Sequence, residues 1–320
     1  MIVVTGGAGF IGSNLVRVLN ERGESEILVV DDLARGSKCV NLSDCAVADY
    51  MDKAEFRRAV NEQTLGRVRA VLHQGACTDT TEADGRYMMD NNFAFSKDVL
   101  RFAQDRGVPF IYASSAAVYG ASQASREDPP NECPLNVYGL SKLLFDQYVR
   151  RRLPTAKSTV VGLRYFNVYG PREAHKGRMA SMAHQLYRQL ASTGKARLFE
   201  GTDGYADGEQ RRDFIFVGDI VDANLFFLQG PPRRGIFNVG TGQSRSFNDV
   251  ARRLIQLRGG GDIEYFPFDE ALRGRYQSFT EADVGRLRAA GYNRPFTSLE
   301  EGIARSVEAW DRDVPPAKER

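Results

Sequence analysis

The sequence predicts an α/β fold with a doubly wound parallel sheet and a smaller C-terminal α/β domain. In the first half of the 320-residue chain, short apolar runs alternate with stretches of helical periodicity, which is typical of parallel sheets. The apolar runs are continuous, as expected when both faces of a sheet are covered. After residue 166 the alternation ends and Gly, Pro and charged residues become frequent, which indicates a second domain.

Five strands and four helices are predicted before that point, and two later apolar runs are expected to return to the main sheet. The strands are Ile2–Thr5, Ile27–Asp31, Ala70–His73, Phe110–Ser114 and Thr159–Phe166, and the returning runs are Phe214–Val217 and Ile236–Val239. The helices are about Ile11–Arg22, Lys53–Glu62, Gly85–Arg106 and Val137–Arg152. We therefore expect a first domain of 1–166 with returning segments at about 213–244, and a second of 167–212 and 245–320.

The composition excludes several classes of protein. The formal charge of +2 disfavours a dedicated nucleic-acid binder, which would carry a strongly basic face. The four cysteines form no C-x-x-C pair, and with three histidines they offer no zinc-like spacing, so we expect no metal. No apolar run approaches the ~20 residues of a membrane span. The start of the sequence lacks a basic segment with a cleavage site, so we expect a cytoplasmic protein.

The strongest single motif is TGGAGFIG at residues 5–12, between a strand and an apolar helix. Gly6, Gly9 and Gly12 allow a tight turn, close approach of the backbone to a pyrophosphate, and packing of the helix on the strand. Asp31 ends the second strand ~20 residues further on, where a ribose-binding acid is expected. The pattern predicts a Rossmann-type site for a dinucleotide.

The residues after the second strand give opposing indications of which dinucleotide binds. Asp31 and Asp32 favour NAD, because carboxylates repel a 2′-phosphate. Arg35, Lys38 and Lys53 could attract that phosphate. We predict NADP, and NAD remains the alternative.

A catalytic pair is predicted in the helix that begins near residue 137. Tyr138 and Lys142 stand at positions i and i+4, so they share one helix face. A nearby ammonium favours the phenolate, and we expect the pKa of Tyr138 to move toward the physiological range. Ser114 and Ser115 close a strand at the carboxyl edge of the sheet, where ligands bind, and a hydroxyl there can contact a substrate alcohol or ketone.

Asn91 and Asn92 stand inside a predicted helix, although asparagine favours helices poorly. We therefore expect a specific polar contact, for Asn91 near the cofactor or behind Lys142.

Together these motifs resemble the extended short-chain dehydrogenase/reductases, and the resemblance covers the chain from Met1 to about Trp310. Its general motifs are TGGAGFIG, ASSAAVYG (113–120), NVYGLSK (136–142) and RYFNVYGPR (164–172). Other segments are similar to those of the epimerases that act on ADP-heptose: DDLARGSKCVNL (31–42), ADYMDK (48–53), HQGACT (73–78), YMMDNN (87–92), EAHKGRMAS (173–181) and LRGRYQSFT (272–280).

The resemblance implies a nucleotide-sugar epimerase that inverts C6″ of ADP-D-glycero-β-D-manno-heptose by transient oxidation, with tightly bound, recycled NADP, and so supplies the lipopolysaccharide inner core. Tyr138 and Lys176 would be its two acid/base residues, assisted by Ser115 and Lys142. The implied cofactor contacts are Phe10, Ile11, Asp31, Asp32, Lys38, Lys53, Gln74, Gly75, Ala76, Cys77, Thr78, Asn91, Lys142, Val168 and Lys176. The implied substrate contacts are Asn167, Arg178, Gln185, Phe199, Glu200, Gly201, Thr202, Arg212 and Tyr276, with Ser115. A homo-oligomer is implied as well, with five subunits by analogy.

Two features depart from the family pattern. Arg178 stands where a serine is expected, and the loop 202–210 is longer than usual. Three alternatives to the heptose reading remain: a UDP-hexose 4-epimerase, a 4,6-dehydratase, and an NADP-binding scaffold without activity. The dehydratase is disfavoured because Ala116 and Ala117 follow Ser115 where acidic residues would be needed, and the intact Tyr138–Lys142 pair disfavours the scaffold.

Overall fold

A computed structural model describes residues 1–34, 36–122, 124–269 and 276–313 of the chain. Arg35 and positions 272–275 of the LRGRYQSFT motif lie outside the described residues. Within the described ranges, no helix is both long and apolar enough to cross a membrane. The same ranges contain no group of three or more His, Cys, Asp or Glu side chains that could hold a metal ion.

Thirteen strands and ten α-helices are formed by the described residues. The strands are Ile2–Thr5 (β1), Ile27–Asp31 (β2), Asp49–Asp52 (β3), Ala70–His73 (β4), Phe110–Ser115 (β5), Val160–Tyr165 (β6), Asn167–Tyr169 (β7), Lys195–Phe199 (β8), Arg211–Arg212 (β9), Phe214–Phe216 (β10), Arg234–Val239 (β11), Arg245–Ser246 (β12) and Asp262–Phe266 (β13). The helices are Phe10–Glu21 (α1), Lys53–Asn61 (α2), Gly85–Met88 (α3), Phe95–Asp105 (α4), Val137–Arg150 (α5), Met182–Thr193 (α6), Val217–Leu228 (α7), Phe247–Arg258 (α8), Gly285–Ala289 (α9) and Leu299–Asp313 (α10).

The predicted doubly wound sheet is confirmed. Seven parallel strands form one sheet in the order β11-β6-β5-β4-β1-β2-β3. From the centre of the sheet, successive strands are added toward one edge from β1 to β3 and toward the other edge from β4 to β11. Ligands bind at such a reversal, in the crevice outside the carboxyl ends of the strands. The crevice here lies between β1 and β4.

Both faces of this sheet are covered, as the continuous apolar runs predict. Along β2, Leu28 and Val30 pack into one core cluster with Phe56 of α2, whereas Val29 packs into another with Leu15 of α1. Alternate residues of a strand point to opposite faces, so each core needs every second position to be apolar. A third cluster joins α6, α8 and α10 with β8 and β10, and it forms the core of the C-terminal part.

Three sequence expectations need correction. The run Phe214–Val217 does not return to the main sheet: β10 pairs with β7 in a separate two-stranded sheet, and Val217 begins α7. The outer edge of β6 is already occupied by β11, so β10 pairs with the strand that follows β6. The predicted helix Gly85–Arg106 is interrupted by a π-helical turn at Met89–Ala94. The edge strand β3 was not predicted, because its sequence, Asp-Tyr-Met-Asp, contains no continuous apolar run and none of its residues is buried.

Candidate functional site

The glycine turn between β1 and α1 is so tight that its first residues pack directly against the start of α1. A side chain at Gly12 would place its Cβ 2.0 Å from the carbonyl oxygen of Gly6, and Gly6 itself has a φ of +66°. A Cβ at Gly6 would lie 2.7 Å from the nitrogen of Gly75 in the loop after β4. Only glycine fits at these positions. The N–H groups of Gly6, Gly7, Ala8 and Gly9 donate within the protein, so the turn presents the start of α1 to the crevice. The first N–H groups of a helix have no partner within it, which suits a phosphate.

A cavity of about 440 Å³ extends from this turn along the carboxyl ends of the central strands. Almost all of the predicted cofactor residues line it. They are Gly6, Gly9, Phe10, Ile11, Gly12, Asp31, Asp32, Lys38, Lys53, Gln74, Gly75, Ala76, Cys77, Thr78, Asn91 and Lys176. Lys142 and Val168 are not part of the lining: Lys142 lies within α5, and Val168 packs between two core clusters. The lining also includes Asp79, Tyr87, His175 and Met179, which sequence reasoning did not assign to the cofactor.

Acidic and basic side chains are paired where the cavity meets the end of β2. Lys38 Nζ lies 2.8 Å from an Asp31 carboxylate oxygen, and Lys53 Nζ lies 3.0 Å from Asp32. Asp31 also accepts the Ala8 N–H at 2.8 Å, which ties the carboxylate to the glycine turn. A backbone hydrogen bond from Ala34, together with Lys53, lowers the pKa of Asp32. Each carboxylate at this end thus has a lysine beside it.

The predicted catalytic pair lies where α5 meets the end of β5. Asn136 caps the helix by accepting the Gly139 N–H at 2.8 Å, and this places Tyr138 in the first turn. The Tyr138 phenol lies close enough to Ser115, the last residue of β5, for the serine side chain to lower the pKa of the phenol. Lys142 Nζ lies 6.0 Å from the centre of the Tyr138 ring.

The pKa values of this pair differ from the sequence expectation. Burial raises the pKa of Tyr138, and the Ser115 side chain offsets this only in part. Burial lowers the pKa of Lys142 to about 8, with Asp146 acting in the opposite direction. The expected lowering of the Tyr138 pKa is therefore not observed, because burial outweighs the opposing effects. Lys142 donates to the Ala113 carbonyl oxygen at 2.8 Å.

The two asparagines lie in the π-helical turn and make polar contacts. Asn91 borders the cavity and accepts a hydrogen bond from Lys53 at 3.3 Å. Asn92 is buried; it accepts the Cys77 N–H at 2.8 Å and donates to Ser141 Oγ at 3.1 Å. Both residues thus make specific polar contacts, and Asn92 links the cavity wall to the helix of the predicted catalytic pair.

Lys176 lies on a short 3₁₀ segment, Ala174–Met179, that borders the same cavity. Its Nζ is 5.7 Å from the centre of the Phe10 ring, and burial lowers its pKa, opposed by Glu173. The adjacent His175 Nδ1 lies 3.0 Å from Asn41 Nδ2, which also donates to the Ala8 carbonyl oxygen at 3.0 Å. The segment is thus anchored to the glycine turn.

The predicted substrate residues fall into separate groups. Arg212 is buried with its guanidinium 4.8 Å from the Tyr276 ring centre, and the Phe199 and Tyr276 rings are 6.2 Å apart. Burial lowers the pKa of Arg212, and among the described residues no carboxylate forms an ion pair with it. Glu200, Gly201 and Thr202 follow Phe199 at the end of β8. Arg212 is therefore a desolvated cation beside an aromatic cluster.

The other substrate candidates are engaged within the protein. Asn167 Oδ1 accepts a hydrogen bond from Thr280 at 3.2 Å, and Gln185 donates to the Arg178 carbonyl oxygen at 3.1 Å. Arg178 is largely exposed and forms a 2.8 Å ion pair with Asp79. In this arrangement Arg178 joins the Lys176 segment to the loop after β4, which differs from the expected substrate contact.

Comparisons with known proteins agree on one family. Residues 2–240 match the model of the NAD dependent epimerase/dehydratase family. The chain is 57% identical over 310 residues to an ADP-L-glycero-D-manno-heptose-6-epimerase of Alkalilimnicola ehrlichii, covering 97% of each chain. The crystal structure of the Helicobacter pylori enzyme of that name is 31% identical, with a TM-score of 0.82 and coverage of 96% of this chain and 95% of that one.

A UDP-glucose 4-epimerase of Thermotoga maritima, solved with UDP-glucose, is 28% identical with a TM-score of 0.81, covering 98% of this chain and 99% of that one. A Thermus thermophilus UDP-glucose 4-epimerase, solved with NAD, is also 28% identical, with a TM-score of 0.76 and the same coverage. With three quarters of its length matching the family model and a relative of high identity along nearly the whole chain, the protein belongs to the NAD dependent epimerase/dehydratase family.

Proposed function

We propose that the protein is an epimerase that converts ADP-D-glycero-β-D-manno-heptose to its L-glycero epimer by inverting C6″. The observation that carries this proposal is the 57% identity to a heptose epimerase across 97% of both chains. The product would supply heptose for the inner core of lipopolysaccharide. We also propose a cytoplasmic homo-oligomer, on the family resemblance.

The site fits a nicotinamide dinucleotide. Glycine at positions 6 and 12 lets the turn pack directly against Gly75 and α1, and a pyrophosphate can approach the N–H groups at the start of α1. Asp31 at the end of β2 is suited to bind ribose hydroxyls, and Asn91 borders the same cavity. The bound cofactor would supply reversible oxidation at the sugar carbon. We propose that 1–166 with 213–244 hold it, and that 167–212 with 245–320 hold the nucleotide sugar.

Tyr138 and Lys176 are the proposed acid/base pair. The sugar oxygen occupies different positions before and after inversion. One protein group must therefore take the hydroxyl proton in the first position, and another must return a proton in the second. Ser115, which lies beside Tyr138, can hold that oxygen next to the phenol. Lys176 is buried enough for its pKa to fall, which makes a neutral amine accessible as a base. The Lys142 ammonium would stabilise the phenolate form of Tyr138.

We propose NADP as the cofactor. Lys38 and Lys53 border the cavity beside Asp31 and Asp32, and either ammonium can turn from a carboxylate to a 2′-phosphate. The test is to denature the purified protein and identify the nucleotide released by mass spectrometry. NAD as the released species would overturn this choice and leave the epimerase proposal standing.

Arg212 is suited to the diphosphate of the substrate. Its buried guanidinium has no carboxylate partner in the described part of the chain, and a dianionic ligand can bind it through two N–H groups. The adjacent rings of Phe199 and Tyr276 offer apolar surface to a nucleoside.

The second candidate is a UDP-hexose 4-epimerase, favoured by the match to the Thermotoga maritima structure. Turnover of a nucleotide-sugar panel by the enzyme as purified, without added cofactor, separates the two. We expect conversion of ADP-D-glycero-β-D-manno-heptose and no conversion of UDP-glucose. Conversion of UDP-glucose alone would establish the second candidate, and no conversion of any sugar would favour a scaffold.

A further inference from the structure

Helix α5 makes polar contacts with the end of β5 in three successive turns. In the first turn, the Tyr138 phenol lies beside the Ser115 side chain. In the second, Lys142 donates from Nζ to the carbonyl oxygen of Ala113 at 2.8 Å. Residues four apart lie on one face of a helix, so the third member of this row is position 146.

That third position is Asp146, and its side chain is fully buried. One carboxylate oxygen accepts the Tyr112 hydroxyl at 2.8 Å. The other accepts the Ser114 hydroxyl at 2.9 Å and the Nε–H of Arg164 of β6, also at 2.9 Å. Asp146 therefore joins α5, β5 and β6 at one point, directly beside the strand residues that contact Tyr138 and Lys142.

The charge of Asp146 belongs to a buried group of four charged residues. Arg164 has no exposed side-chain surface and also contacts Glu132, which in turn pairs with Arg150. Two arginines thus balance two carboxylates. Two hydroxyl donors and the Arg164 guanidinium converge on the Asp146 carboxylate, and donors of this kind interact best with a charged acceptor.

Lys142 has few other charged groups around it. Asp146 on its own helix favours its ammonium form, and Cys77, in the loop after β4, acts in the same direction. His73 of β4 lies near enough to be influenced by Lys142, and its own burial holds it neutral at physiological pH. Tyr138 presents its ring to the amine. Of these groups, the one held by hydrogen bonds as a buried negative charge is Asp146.

We propose that Asp146 is a positioning residue for the Tyr138–Lys142 pair. It fixes α5 against the end of β5 and places a hydrogen-bonded carboxylate one helical turn from Lys142. Lys142 is thereby kept as a cation at neutral pH, the form that can stabilise a Tyr138 phenolate. This inference rests on the proposed function, because it matters for turnover only if that pair acts on a substrate.

The test is the variant Asp146→Asn, which keeps the shape and removes the charge. In the pH profile of kcat/KM, the decrease at alkaline pH should begin about one pH unit lower than in the wild type, because Lys142 gives up its proton more easily. kcat should fall while KM changes little. Removal of one member of a buried pair can prevent folding, so Asp146→Asn combined with Arg164→Met serves as a second variant. It removes both charges, and the downward shift is expected to remain.

Glu132→Gln is the matched control. It takes a carboxylate from the same Arg164 and should cost comparable stability, but Glu132 lies outside the row that faces Lys142. Its alkaline limb should coincide with that of the wild-type enzyme. The proposal is overturned if the Asp146→Asn profile coincides with that of the wild type, or if Glu132→Gln shifts it equally.

A readout without turnover separates this inference from the proposed function. In protein labelled with ¹⁵N-lysine, the Lys142 Nζ resonance, assigned by its loss in Lys142→Met, reports the titration of the amine directly. A lower midpoint in Asp146→Asn would support the positioning role even if no nucleotide sugar is converted. An unchanged midpoint would refute it even if the wild-type enzyme proves to be the proposed epimerase.

Discussion

Thr5 Oγ1 and His73 Nδ1 lie 2.7 Å apart, a contact that joins the last residues of β1 and β4. Thr5 Oγ1 also accepts the Gly75 N–H at 3.1 Å, so we assign its own proton to His73 Nδ1. The other ring nitrogen lies 2.8 Å from Ser96 Oγ and is then the donor. His73 is held as a neutral ring directly below the glycine turn, and burial lowers its pKa to about 3.

Stability should therefore fall in mild acid. An unfolded histidine titrates near ~6.5, whereas His73 in the folded protein titrates near about 3. Between these values the unfolded state binds more protons, so the free energy of unfolding falls by up to ~1.4 kcal/mol per pH unit from this residue. Urea denaturation of the wild type and His73→Gln at pH 7.5 and 5.0 should show a smaller loss in the variant. Equal losses in the wild type and the variant would mean that His73 does not contribute. His184→Gln is the comparison variant, because burial also lowers the pKa of His184, to about 4.

The single variants Tyr138→Phe and Lys176→Met should each reduce epimerisation by a factor on the order of 10²–10⁴, because each removes a proton-transfer group. Tyr265→Phe and Lys195→Met, which change exposed residues of β13 and β8, are the controls. Product formation from ADP-D-glycero-β-D-manno-heptose is measured in all four. Near-wild-type turnover in both site variants would exclude a two-base scheme.

Arg212→Met should weaken binding of ADP about 10- to 100-fold, since a charge-assisted hydrogen bond contributes roughly 1.5–3 kcal/mol. The ligand-free protein should not become less stable, because the buried guanidinium has no carboxylate partner to lose among the described residues. Calorimetric titration with ADP and thermal unfolding check the two halves of this prediction. Arg197→Met, at an exposed arginine of β8, should bind ADP normally. A large loss of Tm in Arg212→Met would contradict a ligand-binding role.

Gly12→Ala should abolish retention of the dinucleotide and destabilise the fold by on the order of 3 kcal/mol, because the new Cβ would overlap the Gly6 carbonyl oxygen. Gly66→Ala is the matched control, with nothing within 4 Å of its Cβ. The nucleotide content of the purified variants and their urea midpoints are measured. Normal nucleotide content in Gly12→Ala would refute the proposed position of the pyrophosphate.

Sequence reasoning succeeded where one local pattern determines one structure. The bounds of β1, β2 and β4 agree with the prediction, because a short continuous apolar run between turn residues forms a buried strand in such a fold. The polar contacts of Asn91 and Asn92 were predicted from their cost in a helix, and the π-helical turn now explains how they are accommodated.

The expectations that failed depend on partners distant in sequence. The run at 214–216 is buried as its composition indicates, but an apolar run does not specify which strand it pairs with. The pKa of Tyr138 depends on how deeply α5 is buried, which the residues around Tyr138 in the sequence do not specify. The burial of a side chain and the pairing of distant strands depend on the whole fold, so a single stretch of sequence does not predict them.

The position of β11 has a consequence for how the chain must be made. Its residues close the outer edge of β6, although more than half of the chain separates it from β1. A fragment cut after β6 would contain the glycine turn but would expose a row of unpaired N–H and C=O groups, a template for aggregation. During translation that edge stays open until residue 239 has left the ribosome, so nascent chains need protection well after the nucleotide-binding motif has emerged.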